Sequence, residues 1–245
     1  MSEETQKNKL PKIIGAIIAV AVLVGGFIFV RGALTGDNSI APTTNLIRPW
    51  NPIVGKKDAS VKLVYLYDYQ CPACQSNAEN MTNLKAEFGD KIAFVYKPFI
   101  VHPGSGNRMA QAGLASNKQG KFSEFNEKLI RQTQGKPSGL TIPELENLAT
   151  QVGLDKTQFT KEYNSKEVED NIGIDQKDIK DVILPISKYS EDKTANKPGS
   201  TPTLILLKDN KFTDSWWSGV LSLDNTKKGV EDVKGVRTRI SELLK

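Results

Sequence analysis

The chain is short of the residues on which several kinds of site depend. Its 245 residues include two cysteines and one histidine. A structural zinc site takes four such ligands, so Cys71 and Cys74 are half of one, and His102 is distant in sequence with no further partner. No metal centre is expected, and nothing in the sequence calls for a cofactor. Aromatic residues are 7% of the chain, and the basic residues behind its net charge of +5 are interleaved with acids, as at Glu124, Glu127 and Lys128 or Glu231, Asp232 and Lys234. Without a segregated basic stripe or an aromatic platform, nucleic acid is not an expected partner. Internal repeats and low-complexity tracts are also missing. A hydrophobic content of 38% and a charged content of 25% suit a globular domain.

There is a single long apolar run, Ile13 to Val30. Its 18 uncharged residues would span about 27 Å as a helix, close to a hydrocarbon core of roughly 30 Å. Lys7, Lys9 and Lys12 precede it and only Arg31 follows closely, which keeps residues 1–12 in the cytoplasm and places the bulk of the chain outside. The run exceeds a usual signal-peptide core and no clean small-residue cleavage site follows. Residues 13–30 therefore read as an uncleaved anchor in the cell membrane, with a cleaved signal peptide as the rival. The lipid bilayer is then a partner, and anionic headgroups would attract a basic chain. Residues 31–52, with Gly32, Gly36, Pro42, Pro49 and Pro52, read as a tether.

Both cysteines fall in one stretch, Tyr67-Asp68-Tyr69-Gln70-Cys71-Pro72-Ala73-Cys74, at the spacing of a redox-active dithiol. The thiolate is the reactive species, and a helix N-terminus favours it through free N–H groups and the positive end of the helix dipole. Val61 to Tyr67, rich in β-branched and aromatic residues, predicts a strand running into this stretch. Pro72 suits a first helical turn, and Ala78, Met81, Leu84 and Phe88 recur at helical spacing until Gly89-Asp90. Ile92 to Tyr96 predicts a second strand, ending at Lys97-Pro98.

From about residue 105 to 190 the periodicity is helical. Phe122, Phe125, Leu129 and Ile130 mark one helix; Ile142, Leu145, Leu148, Ala149 and Val152 mark the next, opened by a Thr141–Glu144 capping box. A third begins near Asp155, with Phe159 and Tyr163 inward. A long one carries Val168, Ile172, Ile179, Val182 and Ile186, with Pro185 as a kink or end. Thr201 to Leu207 and Phe212 to Trp217 then predict a hairpin turning at Lys208-Asp209-Asn210-Lys211. Val230, Val233, Val236, Ile240, Leu243 and Leu244 predict a terminal helix, loosened by Gly229 and Gly235. The expected fold is α/β, a sheet domain over residues 53–245 with a helical subdomain inserted at about 105–190, preceded by one transmembrane helix.

These residues resemble the DsbA-like thiol oxidoreductases of the thioredoxin superfamily, particularly the membrane-tethered bacterial members. The resemblance covers roughly residues 52 to 245. It is carried by Gly55 with Ala59, the Tyr67–Cys74 stretch, Gly120-Lys121-Phe122, Val152-Gly153-Leu154-Asp155 and Gly199-Ser200-Thr201-Pro202-Thr203. It implies a thioredoxin-like fold, Cys71 as nucleophile, Cys74 as resolving cysteine, and Thr201-Pro202 as a cis-peptide loop beside the dithiol that pairs with an extended substrate. It also implies a quinone-linked membrane oxidase that recycles the dithiol. Two departures stand out. Pro72-Ala73 leaves no histidine between the cysteines, and Tyr65 stands where thioredoxin-type relatives place a buried acid.

The expected activity is oxidation of reduced secreted or surface proteins, in which a substrate thiolate attacks Cys71 and a second substrate thiol resolves the mixed disulfide. An anchored domain outside the membrane lies where disulfides persist. A reductase or isomerase is the alternative within the same chemistry. Of another class is an anchored peptide-binding or chaperone module whose cysteines form only a structural link. Asp68, Pro72 and Ala73 are candidates for tuning the dithiol, Asp68 either as a turn residue or as a proton relay to Cys74. His102 reads as a solvated loop residue. Tyr67 and Tyr69 line the groove or enter the core, and of Trp216 and Trp217 one ring is expected inside and the other at an edge.

Overall fold

The computed structural model describes residues 46–186, 200–221, 223–224, 226–228, 231–233 and 235–245. The expected anchor at 13–30, the residues before it and most of the tether lie outside these. Among the described residues no helix is long and apolar enough to cross a membrane.

A five-stranded sheet has the order β1-β3-β2-β4-β5. It comprises β1 (Ile53–Gly55), β2 (Val61–Tyr67), β3 (Ala93–Pro98), β4 (Thr203–Lys208) and β5 (Lys211–Ser218). β2 runs parallel to β3 and antiparallel to β4; β1–β3 and β4–β5 are antiparallel. The parallel pair requires a crossover. It is made by α1 (Pro72–Ser76) and α2 (Ala78–Phe88). As the middle strand β2 is covered on both faces, and its side chains alternate between two cores. Val61, Leu63, Tyr65 and Tyr67 join the larger core with Leu84, Phe88 and Ile240. Val64 and Leu66 join the smaller with Ile179, Ile205 and Trp216.

The hairpin turn falls at Asp209 and Asn210, both with positive φ, as a two-residue turn matched to strand twist requires. Trp216 and Trp217 are both buried, one in each core. β5 is an edge strand, but each ring enters a core, so neither is left at an edge as expected.

The helical insertion consists of α3 (Ser105–Lys118), α4 (Phe122–Thr133), α5 (Ile142–Gln151), α6 (Lys156–Tyr163) and α7 (Lys166–Ile186). The Thr141–Glu144 capping box is present, Asp155 caps α6, and Phe159 and Tyr163 are buried. Ile142, expected on the apolar face of α5, is exposed. α3 packs against α4, α6 and α7. Its glycines also permit close approach to the segment after β2: a Cβ on Gly113 would meet the Tyr69 hydroxyl at 2.9 Å, and one on Gly106 the Asp68 carboxylate at 2.8 Å.

Three expectations are corrected by packing. Residues 46–52, read as the end of the tether, belong to the domain, where Leu46 is buried and Arg48, Trp50 and Asn51 partner acids on α7. The CxxC helix is not continuous, since α1 ends at Asn77 before α2 begins. The terminal helix is only α8 (Val236–Leu243), while Val233 lies in β7 (Glu231–Val233), which pairs antiparallel with β6 (Thr226–Lys228). The helix cannot extend backward through Gly235, whose backbone is pressed so closely on Leu223 and Asp224 that an added Cβ would meet the Leu223 carbonyl oxygen at 2.3 Å. Val230 lies outside the described residues.

A buried charge cluster joins the insertion to the sheet. Lys97 on β3 is fully buried, its Nζ 2.5 Å from Asp175 Oδ1 and 3.4 Å from Asp178 Oδ2. Arg48 donates two hydrogen bonds of 2.8 Å to Asp178. Trp50 Nε1 and Asn51 Nδ2 donate to the two oxygens of Asp175. Burial nonetheless holds the Asp175 carboxyl above its ordinary value. Burial also pushes Asp178 upward, but Arg48 and Lys97 more than reverse it.

Candidate active site

The site is built where β2 ends and α1 begins. Cys71 is the N-cap of α1, Pro72 is its first residue, and Cys74 lies within it. One turn of helix separates the cysteines, both are reduced, and their surroundings differ. Cys74 is fully buried beneath the helix, whereas Cys71 retains slight exposure beside an exposed Pro72. Ala73 is half-buried against the larger core, so the residue between Pro72 and Cys74 packs and has no polar group to offer.

The Cys71 thiol is lowered to about 5. A hydrogen bond from the Cys74 thiol is the foremost cause; desolvation opposes it, and the Thr201 side chain and the N–H groups of Cys74 and Ala73 add to it. Cys74 is driven the other way, well above its ordinary value, first by burial and then by the neighbouring Cys71 sulfur. One cysteine of the pair is thus a thiolate at neutral pH and the other a thiol.

Thr201 and Pro202 come against this dithiol from the loop before β4. Their peptide bond is cis, and Cys71 Sγ lies 3.1 Å from the Thr201 carbonyl oxygen. The loop is fixed by Thr203 Oγ1 donating to the Ser200 carbonyl at 2.8 Å and by Gly219 N donating to the Pro202 carbonyl at 3.0 Å.

Asp68 is buried with its carboxylate turned toward the loop after β3. It accepts from the N–H groups of Gln70 at 2.9 Å, Val101 at 3.0 Å and His102 at 2.7 Å. His102 Nδ1 lies 3.1 Å from the same carboxylate, so this ring, read as solvated, is half tied down. What Asp68 presents to Cys74 is its backbone, which lowers the Cys74 thiol slightly against the larger effect of burial. A groove of about 600 Å³ runs beside Pro72, lined by Gln70, Val101, His102, Lys136 and Pro137.

Tyr67 and Tyr69 both enter the core, ring edge to ring face with centroids 5.0 Å apart. Tyr69 Oη donates to Asn126 Oδ1 at 2.8 Å. Asn77 went unnoticed in the sequence, where a polar residue in a helical run reads as a surface position. It is fully buried, donating to the Gly219 carbonyl at 2.9 Å and accepting from Leu221 N at 3.0 Å, so it joins the CxxC helix to the segment that follows β5. Among the described residues no three His, Cys, Asp or Glu side chains gather as metal ligands.

The sequence model of the family described as thioredoxin matches residues 49–221. A probable disulfide bond formation protein D of Bacillus anthracis is 28% identical over 164 residues, 63% of this chain and 74% of that protein. An Na(+)/H(+) antiporter NhaA 1 of Mycolicibacterium gilvum is 27% identical over 171 residues, 66% of this chain but 24% of the antiporter. The chain spans only about a fifth to a quarter of the length of the first curated relatives it matches. In fold it is similar to the thiol-disulfide exchange protein alpha-DsbA2 of Wolbachia pipientis, with a TM-score of 0.60 and 18% identity over 79% of this chain and 92% of that one.

Proposed function

The chain belongs to the thioredoxin family as a DsbA-like member, and on the asymmetry of its two cysteines we propose that it is a thiol-disulfide oxidoreductase that introduces disulfides into other proteins. Cys71, the thiolate, is the sulfur that substrate attacks and that later leaves; Cys74, buried and protonated, is the resolving partner. A stabilised thiolate leaves readily and lowers the free energy of the reduced pair, which draws electrons from substrate into the protein. The departure at Ala73 is offset by N–H groups of the α1 N-terminus, which favour the Cys71 thiolate without an intervening histidine.

Substrates are reduced, extended segments of secreted or surface proteins. In the resting site the Thr201 carbonyl faces the Cys71 sulfur, and once that sulfur is joined to substrate the carbonyl is free to accept a main-chain N–H of the bound segment. Contact through backbone gives affinity with little sequence preference. The apolar run at 13–30 and its preceding lysines support a membrane-anchored domain on the outer side, where disulfides persist, and the family resemblance supports a quinone-linked membrane oxidase as its recycler.

Trapping tests the reading. The Cys74→Ala variant, presented with reduced secretory proteins, accumulates mixed disulfides through Cys71 that thiol reductants release. If none form, the cysteines are a structural pair and the peptide-binding alternative takes over.

A further inference from the structure

Where β5 leaves the sheet beside the Thr201-Pro202 loop, one backbone acceptor lacks its natural donor. Ser218 is in register with Thr203, so Gly219 falls opposite Pro202. Gly219 N donates to the Pro202 carbonyl at 3.0 Å, which is one half of an antiparallel pair. The other half would be an N–H of residue 202 donating to the Gly219 carbonyl, and proline has none to give.

Asn77 supplies it. Its Nδ2 donates to the Gly219 carbonyl at 2.9 Å while its Oδ1 accepts from Leu221 N at 3.0 Å. The side-chain amide therefore continues the ladder as a strand would, and Val220 between the two bonded residues is turned out to solvent. Asn80 supports the arrangement, donating to Asn77 Oδ1 at 3.3 Å and to the Leu221 carbonyl at 3.2 Å. The backbone of Asn77 belongs to the end of α1, its N–H donating to the carbonyls of Ala73 at 3.1 Å and Cys74 at 3.2 Å.

Packing alone does not call for an amide at this position. Asn77 is fully buried, where a polar group is costly unless every bond is made and an apolar side chain of similar shape is not. What the amide adds is geometry. α1 is five residues long and is broken from α2 at Asn77, so it is not held straight by its own length. Hydrogen bonds run from it through Asn77 to Gly219 and from Gly219 to Pro202.

We propose that Asn77 is a positioning residue: by supplying the donor that Pro202 lacks, it sets the gap between Cys71 on α1 and the Thr201 edge that receives the substrate backbone. An extended polypeptide has to join its sulfur to Cys71 and its main chain to that edge at the same time, whereas a small dithiol meets Cys71 alone. Misplacement by an ångström in such a two-point alignment costs up to ~10²-fold in rate. The assignment rests on the redox function proposed above.

The test compares the opening of the oxidised Cys71–Cys74 disulfide in the full chain by dithiothreitol and by a reduced, unstructured peptide carrying two cysteines. Asn77→Leu keeps much the same shape and removes both side-chain hydrogen bonds. Its reaction with the peptide is expected to slow about tenfold and its reaction with dithiothreitol to change less than about twofold. If Asn77→Leu does not fold, Asn80→Ala, which loosens the same clamp from its partly exposed side, is expected to show the same split at about two- to threefold. A merely structural asparagine would lower the urea midpoint and leave the two rates in their wild-type ratio. That result, or equal slowing with both reagents, would overturn the proposal. A wild-type disulfide inert to both reagents would sink the redox function itself, which separates the two failures.

Discussion

The sulfur of Cys71 lies 3.1 Å from the carbonyl oxygen of Thr201, across 130 residues of intervening chain. The helical insertion is what fills that interval, so the fold closes the active site only after its largest excursion. The Thr201 hydroxyl, which makes no hydrogen bond of ordinary geometry, is the side-chain group of this loop that helps the Cys74 thiol lower Cys71. Thr201→Val keeps the β-branched shape and the carbonyl but removes the hydroxyl. The midpoint for alkylation of Cys71 is expected near 5 in the wild type and higher in this variant. An unchanged midpoint would show that the hydroxyl does not act on the sulfur.

Lowering of the Cys71 thiol also sets how stability depends on pH. In an unfolded chain a cysteine titrates near ~8.5, so the folded, reduced protein gains stability that is fully present above that pH and is lost as pH falls toward about 5. Cys74, raised in the folded state, works in the opposite sense only above ~8.5. The melting temperature of the reduced protein relative to the oxidised one is therefore expected to rise between pH 5 and 8. A difference that stayed flat over this window would contradict the assignment of a thiolate to Cys71.

Asp68 is expected to hold the loop after β3 in place. Asp68→Ala leaves the N–H groups of Gln70, Val101 and His102 without their acceptor; a stranded buried donor costs ~1–3 kcal/mol, and the exposed Val101 and His102 lose less than the buried Gln70. Urea unfolding should show a loss of about 3 kcal/mol, with partial recovery in Asp68→Asn. A loss below about 0.5 kcal/mol would mean the loop is held by other contacts.

Lys97 anchors the insertion to β3 through Asp175 and Asp178. Lys97→Met leaves Arg48 on Asp178 but only the neutral donors Trp50 and Asn51 on the buried Asp175, and is expected to destabilise the protein by about 3–5 kcal/mol, while adding Asp175→Leu should restore part of the loss. Denaturant midpoints of the single and double variants check this, and equal midpoints for wild type and Lys97→Met would remove the cluster from the account.

What could be read from the sequence was what local pattern encodes. β2 and the start of α1 follow from Val61–Tyr67 running into Cys71-Pro72, and the α5 cap from Thr141 and Glu144 three residues apart. What could not be read depends on neighbours. α3 lies in the stretch read as helical, but it carries Gly106 and Gly113 where it touches Asp68 and Tyr69, and only Met109 and Leu114 are large among its buried residues, so the pattern did not mark its packed face. The backward limit of α8 is set by Leu223 and Asp224 pressing on Gly235, a contact outside the helical pattern. Within the site the CxxC spacing located both cysteines, but the opposed states of Cys71 and Cys74 arise from the hydrogen bond between them and from burial, with a smaller part from Thr201. The importance of Asn77 arises from the segment after β5, 142 residues away in sequence.

The reduction potential of the Cys71–Cys74 pair, measured by equilibration with glutathione, tests the central claim most directly. Thioredoxin lies near −270 mV and strongly oxidising dithiols near −120 mV. A thiolate held at about 5 should place this pair clearly above thioredoxin, at roughly −200 mV or higher, so that it accepts electrons from reduced secreted proteins. A value at or below −270 mV would contradict the account and make the protein a reductant.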